Sequence, residues 1–113
     1  MSRCPDWRHM HGRMARYTYS GDIQELAQRV EDGMLPIFQA QPGFKAYSVI
    51  ESDGEVLSFS AWDTAEQADA ANAAAAGWVA ENMAADVELQ ESRIGEILFS
   101  TTLGVSTKAG ATA

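Results

Sequence analysis

Hydrophobic and polar positions between residues 14 and 101 fall into six segments whose period switches between 2 and 3.6. Ala15, Tyr17 and Tyr19 alternate with Arg16 and Thr18, which predicts a strand from about Met14 to Ser20. Asp22 followed by Glu25 reads as a helix start, and Ile23, Leu26, Ala27, Val30, Met34, Ile37 and Phe38 then recur at helical spacing. Pro36 should bend that helix or divide it, because proline lacks an amide donor and crowds the carbonyl four residues back; Pro42-Gly43 ends it. Phe44 to Glu51 and Glu55 to Trp62 predict two strands joined by a tight hairpin at Asp53-Gly54, residues suited to positive φ. Thr64 and Gln67 form a capping-box pattern ahead of a helix from about Ala65 to Ala84. Ala68, Ala71, Ala75, Val79 and Met83 lie along its apolar side, with Trp78 and Asn82 adjoining. A last strand is expected from about Glu91 to Thr101.

The order β-α-β-β-α-β predicts an α+β, ferredoxin-like domain: a four-stranded antiparallel sheet with both helices on one face. Tyr17, Tyr19, Tyr47, Val49, Leu57 and Phe59 supply more large side chains than one helix-covered face needs. The second face is therefore expected to pack on the sheet of another copy, since soluble monomers avoid large exposed apolar patches. Residues 1–13 show neither period and read as an irregular extension, residues 14–101 as the domain, and residues 102–113 as a small, polar, flexible tail.

Composition narrows the partners. The 113 residues suffice for one domain and contain no apolar run long enough for a membrane span. With 16 Asp and Glu against 8 Lys and Arg the chain is acidic, and Arg3, Arg8 and Arg13 lie in the extension, which leaves the body more acidic still. Such a body repels nucleic-acid phosphates and anionic lipid, and a small neutral or cationic ligand is the better expectation. The single cysteine, Cys4, has no intramolecular partner, so a cytoplasmic protein is expected.

The element order, the stretch "PIFQAQPGFKAYSVIESDGEVLSFSAWDTAEQA" and the "WVAENMA" at the end of the second helix resemble the antibiotic biosynthesis monooxygenase-like domains of the dimeric α/β barrel superfamily. The resemblance covers roughly residues 14 to 101. It implies a homodimer with sheets face to face, a pocket between sheet and helices in each subunit, and, for an enzyme, cofactor-independent oxygenation of a small aromatic substrate. The haem-degrading branch of that superfamily places its iron ligand, a histidine, on the second helix, and residues 65–86 contain no histidine.

On that resemblance Trp62, at the end of the third strand, matches a family tryptophan and stands as a wall for a planar ligand, or else as a rim residue shielding the helix start. Trp78 among its alanines is either a second wall or core filler. Asn82 and Asn72 are candidates to orient a phenol or enol oxygen, and either can equally face solvent. Tyr17 and Tyr47 are candidates to exchange protons at a substrate oxygen, with packing as the alternative. Phe59 would line the pocket, and Arg93, like Arg16, would meet a deprotonated substrate or form a cross-strand salt bridge. No Cys/His metal cluster, activated serine or phosphate-binding glycine loop is present, and neither metal nor cofactor is expected. The other reading is a non-catalytic small-molecule-binding dimer of the same fold.

Overall fold

The protein is described by a computed structural model covering residues 10–103. The first nine residues of the expected extension and positions 104–113 of the expected tail lie outside the described residues. The six elements appear in the predicted order: β1 (His11–Tyr19), α1 (Ile23–Gln39), β2 (Phe44–Ser52), β3 (Glu55–Trp62), α2 (Ala65–Asn82) and β4 (Val87–Glu96). The strands pair antiparallel in the order β2-β3-β1-β4, the ferredoxin-like arrangement.

Local chemistry sets most of the boundaries. Asp53 and Gly54 both have positive φ, as a two-residue hairpin requires. Thr64 Oγ1 accepts from the Gln67 amide while Gln67 Oε1 accepts from the Thr64 amide, so the capping box of α2 is complete. Asp22 caps α1 more simply, accepting from the Gln24 amide at 2.8 Å.

Three expectations are corrected. Pro36 does not divide α1, which runs through it; Asp32, whose carbonyl loses its donor, and Pro36 itself are both exposed, where solvent can take the place of the missing donor. β1 begins at His11, three residues earlier than the tyrosine alternation indicates. β4 begins at Val87 and ends at Glu96. The apolar run Ile97–Phe99 drew the expectation too far: Leu98 and Phe99 are exposed beyond the strand, whereas "VELQE" pairs with β1 through its backbone at the sheet edge.

The cross-strand register decides which side chains meet the helices. Arg13, Ala15 and Tyr17 of β1 stand opposite Ser60, Ser58 and Val56 of β3, and all six point beneath α1 and α2 with Tyr47 and Val49 of β2. Phe38 of α1 packs edge-on to Trp62 and to Tyr47, at centroid distances of 5.3 and 4.7 Å. Trp62 is wholly buried and donates its indole N–H to Ser60 Oγ at 2.9 Å. Burial of such a side chain contributes about 1.5–3 kcal/mol. The helices touch where Trp78 lies over Gly33: a β-carbon there would sit 2.3 Å from the indole.

The opposite parity forms the uncovered face. Met14, Leu57, Phe59 and Ile50 line it, with Ile50 58% and Phe59 43% exposed, and Arg16 is bracketed there by Glu55 and Glu91.

Candidate functional site

Two openings flank one buried cluster. The first is a cavity of about 30 Å³ beneath both helices, lined chiefly by aliphatic side chains with Arg13, Tyr17, Tyr47 and Ser58 as its polar members. The second is an open cleft of about 300 Å³ between α2 and the β1–β4 edge, where Ala76, Ala80 and Ala84 are too small to fill the space against Val87 and Leu89. The cleft has the volume of a small-ligand site, whereas the cavity holds no more than one or two waters. Arg13 and Tyr17 line both. A groove of about 270 Å³ beside α1 and β2 offers only Glu31 and Tyr47 as polar side chains other than backbone.

Arg13 is the centre of the cluster. Its residue is 2% exposed, its Nε donates to Asn72 Oδ1 at 2.6 Å and its Nη2 to the Tyr17 hydroxyl at 3.4 Å. Both acceptors are neutral. Among the described residues no carboxylate lies within ion-pair distance of the guanidinium, whereas the other described arginines, at positions 16, 29 and 93, each have one. Glu88, the one carboxylate among the cleft's lining residues, is exposed and pairs with Thr18, so its side chain has the parity of the uncovered sheet face.

Tyr47 and Ser58 complete the inner side. Burial pushes the Tyr47 phenol up to about 12, against the opposing pull of the Arg13 charge, so at neutral pH it is a donor and not a proton acceptor. Ser58 lies opposite Ala15 on β1 and Val49 on β2, one diagonal step from Arg13, Tyr17 and Tyr47. Its buried hydroxyl has no hydrogen-bond partner among the described residues.

The residues singled out from sequence divide between three places. Asn72 and Tyr17 reach the cleft and Tyr47 the inner cavity. Trp62 and Trp78 line neither: the first is core, the second a wedge between the helices. Asn82 is exposed, donating to the Trp78 carbonyl while its own carbonyl accepts from Arg29, so it does not face the cleft. Phe59 and Arg93 lie on the uncovered sheet face, Phe59 over Gly12 and Arg93, 75% exposed, against Glu91. A one-residue difference in parity separates these from pocket-facing positions. Arg13 was overlooked because the irregular extension was drawn to include it. The signal was available: the inward series Tyr19, Tyr17, Ala15 continues backwards to Arg13, a charge at a core-facing position.

No family model matches the chain, and no curated protein matches it in sequence. Solved structures match its fold. The cofactor-independent oxygenase SnoaB of Streptomyces nogalater superposes with a TM-score of 0.65 at 18% identity, over 83% of this chain and 98% of that one. Rv0793 of Mycobacterium tuberculosis gives 0.63 at 16%, over 82% and 99%. A Chloroflexus aurantiacus protein, provisionally described as an antibiotic biosynthesis monooxygenase, gives 0.62 at 14%, over 84% and 99%. The chain has the antibiotic biosynthesis monooxygenase-like fold. At these identities the likeness is one of architecture, and it agrees with the resemblance carried by the sequence. Among the described residues no three His, Cys, Asp or Glu side chains gather as a metal would need, and no helix is long and apolar enough to cross a membrane.

Proposed function

We propose that the cleft between α2 and the β1–β4 edge binds a small aromatic molecule and that the protein is a cofactor-independent monooxygenase. One observation carries this reading: a cleft of about 300 Å³, walled by alanine and valine, has the hydrogen-bonding groups Arg13, Asn72 and Tyr17 gathered at its floor. Apolar walls with a few convergent polar groups are what a planar organic ligand requires. The shared fold with an oxygenase that uses no cofactor supports the reaction class.

The chemistry asks little of the protein. An electron-rich substrate loses a proton to solvent at the open side of the cleft, and the resulting carbanion passes one electron to O₂. Recombination forms the carbon–oxygen bond of a peroxide anion, which takes back a proton from solvent, and loss of water from the hydroperoxide leaves a carbonyl. One oxygen atom ends in product and the other in water. The polar floor fixes the ring while this occurs.

A homodimer is part of the same proposal, with Met14, Leu57, Phe59 and Ile50 as the contact surface. The test is oxygen consumption with a panel of anthrones and hydroquinones. Turnover that falls at least tenfold in Asn72→Ala and Tyr17→Phe is expected, and turnover unchanged by both removes the cleft as the active site. A non-catalytic binding role is favoured by the cleft's openness to solvent on one side, and is the outcome if ligands bind without oxygen uptake.

A further inference from the structure

We infer that the molecule taken up by this cleft carries a planar oxyanion, an aromatic carboxylate or an acidic phenol, which supplies the counter-charge that Arg13 lacks. The inference rests on the cleft being the ligand site and adds the charge and shape of the ligand. Arg13 is a fully formed charge at a core-facing position of the sheet, 2% exposed. A buried charge is retained in proteins when a partner of opposite charge repays its lost hydration, and neutral acceptors repay less. Arg13 has two neutral acceptors and, among the described residues, no carboxylate.

The spare donors point to a shape as well as a charge. Of the five guanidinium N–H groups, Nε is taken by Asn72 and one on Nη2 by Tyr17; Nη1 has no hydrogen-bond partner among the described residues. Asn72 and Tyr17 hold the plane of the fork, and the remaining donors match the two oxygens of a carboxylate or the adjacent oxygens of an ortho-substituted phenol. The aliphatic walls, Ala76, Val79 and Ala80 of α2 facing Val87 and Leu89 of β4, take a ring attached to that head group. This reverses the expectation drawn from net charge. The chain is acidic as a whole, but the charge that a ligand meets at the cleft floor is positive.

Thermal unfolding of the full chain with salicylate and with its neutral counterpart salicylamide, at constant ionic strength in chloride, tests the inference. Salicylate is expected to raise the melting temperature progressively with concentration and to bind at least about tenfold more tightly than salicylamide by calorimetry. Arg13→Met should lose that preference while remaining at least as stable as the wild type without ligand, because it removes an unpaired charge and keeps the bulk. Arg13→Lys, which keeps charge but not the fork, should retain a weakened preference and serves if the methionine variant does not fold. Equal response to the two probes, no response to salicylate, or an undiminished salicylate preference in Arg13→Met overturns the inference. Binding of salicylate through Arg13 without oxygen uptake on any anthrone sinks the oxygenase reading alone. Oxygen uptake without discrimination between the probes sinks the oxyanion alone.

Discussion

Arg13 on β1 and Asn72 in the middle of α2 are joined by a 2.6 Å hydrogen bond from Nε to Oδ1, which ties the first strand of the sheet to the second helix through a buried charge and a neutral amide. Asn72→Asp replaces that amide by a carboxylate of the same shape. It is expected to stabilise the protein by about 1–3 kcal/mol, the range for a hydrogen bond between charged groups. The same substitution should abolish the salicylate response, since the counter-charge is then internal. Urea unfolding midpoints with and without salicylate check both.

Ser58 has a buried hydroxyl with no hydrogen-bond partner among the described residues. Ser58→Ala removes an unsatisfied hydroxyl and is expected to be neutral or to raise stability by up to about 1 kcal/mol. A loss of more than about 1 kcal/mol in denaturant unfolding would instead mean that water fills the cavity of about 30 Å³ and bonds to the hydroxyl.

Tyr47 gives a pH signature. Below pH 10 the phenol is protonated in both folded and unfolded chains and contributes nothing to pH dependence. Above it the unfolded chain ionises first, while burial holds the folded group to about 12. The stability associated with this group is therefore present below about pH 10 and falls between about pH 10 and 12 by roughly 2–3 kcal/mol. Absorbance at alkaline pH should show one of the three tyrosines ionising last, and that step should vanish in Tyr47→Phe.

The contact of Gly33 with Trp78 is a test of helix packing. A β-carbon at Gly33 would sit 2.3 Å from the indole, so Gly33→Ala must force the helices apart and is expected to cost about 1–3 kcal/mol despite alanine's better helix propensity. Combining it with Trp78→Leu should recover part of that loss in a double-mutant cycle.

The uncovered sheet face predicts the oligomeric state. Sedimentation equilibrium is expected to give a dimer, and Phe59→Lys with Ile50→Lys a monomer that retains its far-ultraviolet spectrum. A wild-type monomer at micromolar concentration would remove the dimer and leave the cleft untouched, because its floor of Arg13 and Tyr17 points to the opposite side of the sheet.

How far the site could be read from sequence differs residue by residue. Asn72 and Tyr17 were legible because each carries a polar group on or beside an apolar pattern, and both reach the cleft. Asn82 carries the same signal ten residues on, yet it is exposed and bonded to its own helix. Helical spacing placed it beside the apolar face of α2 but not on the side that turns to β4. Phe59 and Arg93 were misplaced by strand parity, which a single-residue shift in register or one bulge reverses. β4 contains such a shift opposite Arg16 and Tyr17.

By itself the sequence determined the order of elements, the hairpin at Asp53-Gly54, the capped start of α2 and the presence of a sheet with two apolar faces. Each of these follows from short-range chemistry: period, turn conformation and side-chain hydrogen bonds a few residues long. Only the tertiary structure decided that Arg13 belongs to the sheet, that it reaches Asn72, 59 positions away, and that the alanines of α2 leave a cleft above them. Those outcomes depend on long-range register and on volume left unfilled between elements, and no local pattern in a single chain encodes either.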